Sequence, residues 1–260
     1  MTENAAMKPG IRRTVQNLAT RPCNTLSEFE ECVRIQQAVW RFSDHETVPS
    51  DVFIVAVKTG GQVIGVFEGD RQVGFTLAFV AAHETEIYLH SHFAAVLPEY
   101  QGAGIGRLLK LAQREDALKR GIRLIEWTFD PLALMNGHFN LNRLGAIVRR
   151  YIPNFYGVTT SPLHGSLPTD RFVAEWWLES PRVVSRANGR ESAAESPGNV
   201  RISVPRDTTE LLRTGAMEAA QIQERLRTEC VGKFAEGYAA IGLEFSGGEA
   251  AYILSRNFNQ

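Results

Sequence analysis

The chain is poor in sulfur, nearly free of charge imbalance, and without a long apolar run. Its 260 residues include only three cysteines, Cys23, Cys32 and Cys230. An odd number with no CxxC or Cys/His spacing excludes a disulfide framework and gives no metal site, and it points to reduced thiols in the cytoplasm. Lys and Arg number 28 against 29 Asp and Glu, a formal net charge of -1. With basic residues only single or paired, that balance argues against nucleic acid as a partner. The apolar run from Gln72 to Ala82 is too short to cross a bilayer, so no membrane partner is expected. The first ten residues lack the basic-then-apolar order of a signal peptide. No internal repeat is found.

One stretch, Tyr88 to Arg120, organises the rest. It opens as a strand, with SHFAAV rich in small and β-compatible residues and Pro98 closing it. It ends as a helix, where Ile105, Leu108, Leu109, Leu111, Ala112 and Leu118 recur at three- and four-residue spacing among Arg, Lys, Gln and Glu. Between them lies Gln101-Gly102-Ala103-Gly104-Ile105-Gly106. A glycine-rich turn feeding a helix N-terminus points several unpaired N–H groups, reinforced by the helix dipole, at one spot. Its natural guest is a phosphate or diphosphate. The spacing is neither a GxGxxG fingerprint nor a P-loop, and the plainer reading is a tight turn with no ligand.

Gln-x-x-Gly-x-Gly, after a strand ending in Ala-Val and a Pro-Glu-Tyr turn, resembles the acyl-CoA-binding motif of the GNAT acyltransferase superfamily. The likeness is specific from about Tyr88 to Gly157. The run through WTFDPL, Leu-Gly-Ala and Tyr-x-Pro-x-Phe-Tyr-Gly is similar to a bacterial GNAT group with a C-terminal extension. The resemblance implies an α/β fold with a mixed, mostly antiparallel sheet and one splayed parallel strand pair. It implies acetyl-CoA or another acyl-CoA as co-substrate, without a metal, and a small amine or amino acid as acceptor. A homodimer is admissible. By motif, Ala94, Ala95 and Val96 would meet the pantetheine arm and the thioester. Residues Gln101, Gly102, Ala103, Gly104, Ile105, Gly106 and Arg107 would hold the diphosphate, and Asn136 would touch the arm.

Taken in order, residues 1–10 are expected to be disordered, 11–180 to form the GNAT domain, 181–199 a surface loop or linker, and 200–260 a docked β-α-β-β extension. Thr14–Ala19 is a candidate strand. Thr25 or Ser27 caps a helix to Trp40, rich in glutamate in its first turn. Ser50 or Asp51 caps a second helix through Lys58, although Val52 to Val57 would also suit a strand. Gln62–Phe67 and Gln72–Ala81 make a hairpin, and Tyr88–Val96 a third strand. Arg123–Phe129 follows through a β-α-β crossover and so runs parallel. Pro131 starts a helix to Leu144, closed by Gly145. Strands at Ala146–Ile152 and Arg171–Glu179 complete the domain. A strand at Val200–Val204, a helix capped at Thr208 or Thr209, and a hairpin of Tyr238–Phe245 with Ala250–Leu254 form the extension.

Direct transfer of an acyl group from a thioester to an amine requires a base, a polarised carbonyl and a proton for the thiolate, but no enzyme nucleophile. His90 and His92, two apart on one strand, share a face about 7 Å apart and titrate near neutrality. They match a His-x-His proton relay of arylalkylamine N-acetyltransferases; the alternative is a pair of satisfied polar residues. Where many family members carry a tyrosine acid, this chain has Leu141. His138, Tyr151 or Tyr156 would then substitute, or the thiolate leaves unassisted, or the reaction is not ordinary acetylation. Asp130 is read as a cap for the helix at Pro131, and Asp170 and Arg171 as partners in a loop ion pair. Of Trp176 and Trp177, at most one is core. The rival functions are an acyl-CoA decarboxylase or hydrolase on the same scaffold and a non-catalytic acyl-CoA-binding regulator.

Overall fold

The computed structural model describes residues 17–41, 46–157, 167–190, 198–208 and 217–258; the expected disorder of residues 1–10 lies outside them. Two compact units emerge, residues 1–81 with 91–119 and residues 82–90 with 120–260. Strand β4, Glu86–Val96, contributes to both.

In the first unit, β1 (Leu18–Pro22), β2 (Gln62–Glu68) and β3 (Arg71–His83) pair antiparallel in sequence order. Helix α1 (Leu26–Trp40) starts where the sequence places it: the Thr25 hydroxyl accepts from Glu28 N, and Glu28 returns to Thr25 N, a complete capping box. Its buried residues Phe29, Cys32 and Gln36 keep helical spacing. Helix α2 (Ser50–Lys58) forms despite its β-branched run because Phe53 and Ala56, three apart, bury together. Its cap residue is Pro49, and Ser50 is the first helical residue. Phe53 stacks on Phe29 and meets Phe75 of β3 edge-on at 5.6 Å, which fastens both helices to the sheet. Helix α3 (Ile105–Lys119) adds Ile105 and Leu109 to the same core.

In the second unit the start of β4 pairs parallel with β5 (Leu124–Phe129) at Leu89↔Ile125 and His90↔Glu126. Strand β6 (Ile147–Ile152) and β7 (Arg171–Trp177) follow in the order β5-β7-β6. The pairs β1–β2, β2–β3, β5–β7, β6–β7, β6–β9, β9–β10 and β8–β10 are antiparallel. The C-terminal strands β8 (Val200–Pro205), β9 (Ala239–Ser246) and β10 (Glu249–Ser255) extend the β6 edge through Val148↔Ala240. Phe172 centres the core, edge-on to Phe129, Tyr151 and Tyr252 at 5.2–5.6 Å. Trp176 is buried and Trp177 half-buried, as their alternation requires.

Three expectations need correction. Pro131 lies in a turn, and the helix begins only at Leu134 as α4 (Leu134–His138), continuing through a π-helical turn over Phe139–Arg143. Residues Pro181–Ala187, read as loop, form α5: Ser180 caps it, Pro181 opens it, and Val183 is buried. That single apolar anchor is too little periodicity to see in sequence. The last strand stops at Trp177, two residues early. Thr208 donates to Leu132 O, and the helix start expected beside it lies outside the described residues up to α6 (Met217–Ala235). Among the described residues no helix is long and apolar enough to cross a membrane.

Candidate active site

The glycine loop is built from its approach. After β4, Leu97 N donates to Val73 O, and Pro98–Tyr100 make a single 3-10 turn. Tyr100, buried, donates to Glu68 at 2.5 Å, and Arg71 pairs with Glu99 at 2.7 Å, so both sides of the turn are tied to the β2–β3 hairpin. Gly102 and Gly104 then sit at φ 78° and 80°, left-handed conformations that a side chain resists. A Cβ on either would meet nothing within 4 Å, so the space before the loop is open. Helix α3 starts with Arg107 and Leu108 N–H groups both on Gly104 O. Among the described residues no backbone acceptor takes the amides of residues 102–106. The first turn of α3 carries no acidic residue that would neutralise the dipole there.

Strand β4 supplies the adjoining edge. Phe93 O accepts from the Thr76 hydroxyl, Ala95 O leans on Gly74, and Leu97 N bonds Val73, so the odd-numbered backbone groups face β3. Those of His92, Ala94 and Val96 therefore face the opposite edge. Ala95, grouped with them on the sequence, turns its carbonyl the other way. The Gln101 side chain is not free for a ligand: its amide nitrogen donates to Val96 O at 3.0 Å.

His92 is half-buried among rings, 4.2 Å from Phe93 and 5.6 Å from Phe79 between centroids. Behind the strand lies a lysine that the sequence presents as an ordinary helix charge. Lys110, 4% exposed, donates to Ser91 Oγ at 3.0 Å and Gln113 Oε1 at 2.8 Å. Gln113 donates to Thr76, and Thr76 to Phe93 O. Burial pushes the Lys110 ammonium down to about 7.

The second unit holds the remaining candidates. His90 stands opposite Glu126 in the parallel ladder, and Glu126 opposite Glu175 in the next. Both carboxylates are nearly buried, at 4% and 3% exposure. A β-bulge between Val148 and Arg150 leaves Arg149 as the extra residue on its strand, and both arginines reach the carboxylates. Asn136 is exposed and accepts from Asn140. Leu141 is fully buried in the core.

Tyr151 is committed elsewhere: its hydroxyl donates to Asp170 at 2.5 Å, and burial raises its phenol far above the usual value. Tyr156 is 49% exposed, its hydroxyl 3.1 Å from Thr128 Oγ1. Asp130 accepts from Leu132 N at 2.8 Å in a turn, not as a helix cap, and burial raises its carboxyl. Asp170 pairs with Arg227 at 2.9 Å, while Arg171 lies over the Tyr156 ring. Sequence reasoning missed Glu126, Glu175 and Lys110; register and burial mark them, and neither is periodic.

A sequence profile of the acetyltransferase (GNAT) family matches residues 15–134. This part of the chain belongs to the GNAT superfamily. Solved structures agree on the GNAT fold. A protein described as a GNAT-family acetyltransferase from Desulfovibrio desulfuricans superposes with a TM-score of 0.51 at 18% identity, covering 62% of this chain and 99% of its own. The ribosomal-protein-S18-alanine N-acetyltransferase of Escherichia coli gives 0.50 at 16%, over 61% and 92%. A structure from Acinetobacter baylyi, described as that of an acetyltransferase, gives 0.53 at 15%, over 64% and 95%. At such identities the GNAT likeness is one of fold. No curated protein matches the sequence.

Proposed function

We propose that the chain is an acyl-CoA-dependent N-acyltransferase of the cytoplasm, with acetyl-CoA as donor and a small amine or amino acid as acceptor. One observation carries it: among the described residues the amides of 102–106 lie without backbone acceptors at the start of a 15-residue helix whose first turn holds no acidic residue, beside open space. Such an array suits the diphosphate of CoA. When bound, an acyl-CoA supplies an activated thioester. Residues 102–107 hold the diphosphate, mainly by backbone N–H, and the β4 edge at Ala94 and Val96, where Gln101 already occupies the Val96 carbonyl, aligns the arm through its remaining backbone groups as an added strand would. An amide of that edge polarises the carbonyl.

His90 or His92 takes a proton from the acceptor's ammonium, whose lone pair then forms the C–N bond as the C–S bond breaks. The nitrogen's second proton leaves to water, and the thiolate takes one. Tyr151 is not that donor, because its hydroxyl is committed to Asp170.

The test is CoA release from acetyl-CoA with and without a panel of amines. Amine-dependent release with a matching acylated product supports the reading. Release that ignores amines points to a hydrolase or decarboxylase, and tight binding without turnover to a regulator. Either overturns the proposal.

A further inference from the structure

We infer that Glu126 is a positioning residue that orients and polarises His90, so that the pair forms the base for the acceptor. The inference rests on the acyltransferase reading. His90 and Glu126 belong to one compact unit and are partners in the two-residue parallel ladder. Partners in a ladder lie on one face, on strands about 4.8 Å apart. The sequence places the two residues 36 positions apart, so nothing local links them.

Glu126 is 4% exposed and takes its hydrogen bonds from protein. Oε1 accepts from Arg150 Nη2, and His83 Nε2 lies 3.3 Å from Oε2. A carboxylate offers about four lone-pair sites, so two partners leave capacity for a ring N–H of His90. Such a bond sets the imidazole tautomer, turns the other ring nitrogen outward as acceptor, and stabilises the imidazolium once formed. In the step itself, a proton leaves the acceptor's ammonium for that outer nitrogen, the electron pair stays on the amine, and the imidazolium donates to Glu126 until water removes the proton.

The surroundings are built to keep a carboxylate in this row. Glu175 lies directly across from Glu126, and two buried like charges side by side disfavour each other. Arg149 binds Glu175 through Nε and Nη2, and Arg150 adds a contact to Glu175 at 3.7 Å besides its bond to Glu126. Trp177 Nε1 donates to Glu175 at 3.2 Å. His83 is stacked on Tyr88 at 4.3 Å, which holds its ring against Glu126. Further along β4, His92 is the next titratable group.

The variant is Glu126→Gln, which keeps the shape and an acceptor oxygen but removes the charge. Turnover should fall on the order of tenfold to a hundredfold with the KM for acetyl-CoA unchanged. The acidic limb of the kcat/KM profile should move about one unit lower, because His90 loses its neighbouring negative charge. The double variant with His90→Asn should be no slower than His90→Asn alone. Titration of the His90 ring by NMR in Glu126→Gln should show the same downward shift, and it needs no turnover. An unmoved His90 titration overturns the pairing even in an active enzyme. A shifted titration in a protein without amine-dependent CoA release overturns the base role through failure of the acyltransferase reading.

Discussion

Replacing Lys110 by Met tests the burial of a charge beneath β4. The Lys110 amine is depressed from 10.5 to about 7 by desolvation alone. Between those values the unfolded chain holds a proton that the folded chain has released, so folding stability rises with pH across the window. Below pH 7 both states are protonated and the desolvation penalty is present in full. Above 10.5 both are neutral and it is gone. Taking 1.36 kcal/mol per unit, the shift from 10.5 to about 7 predicts a gain of about 2.5 kcal/mol between roughly pH 7.5 and 9.5.

Lys110→Met abolishes that gain, while leaving Ser91 Oγ and Gln113 Oε1 without their donor costs about 1–3 kcal/mol at every pH. The informative quantity is therefore the pH slope of the difference between wild type and variant, in which other titrating groups cancel. Urea unfolding at four pH values gives it. Parallel stability curves for the two proteins would refute the argument, since a lysine with an ordinary titration produces no slope in this window.

Gly104→Val forces a β-branched residue into φ 80° where nothing crowds it, so the loop changes conformation while the core is untouched. Calorimetry should show acetyl-CoA binding lost, with a near-normal melting curve; an unchanged Kd contradicts the loop assignment. Asp170→Asn strips the charge that Arg227 and Tyr151 share, and should cost about 3 kcal/mol in denaturant unfolding; a loss under about 1 kcal/mol would mean that the network is slack. Leu141→Tyr, which installs the residue many family members carry, should lower stability by about 1–3 kcal/mol because the position is fully packed. Turnover should not rise; an increase would show that the buried leucine faces the thiolate after all.

Local chemistry was legible in the sequence wherever a signal occupies a few adjacent residues. Thr25 with Glu28 announced α1, the glycine loop before Ile105 announced α3, and the runs Tyr238–Phe245 and Ala250–Leu254 announced the last hairpin. Helix α2 was ambiguous because its β-branched residues and its helical burial at Phe53 and Ala56 point opposite ways. Helix α5 was invisible because a polar segment with one buried valine has no period.

The sequence by itself determined the α/β class, the strand–glycine loop–helix unit and the histidines beside it, since each depends on backbone geometry that nearest neighbours dictate. Only the tertiary structure decided that Lys110 is buried, that Leu141 is sealed in a core, and that Glu126 faces both His90 and Glu175. Those outcomes depend on register between strands distant in sequence and on which face of a helix meets the sheet. Pairing strands is a long-range choice made by the packing of whole faces, and no window of neighbouring residues contains it.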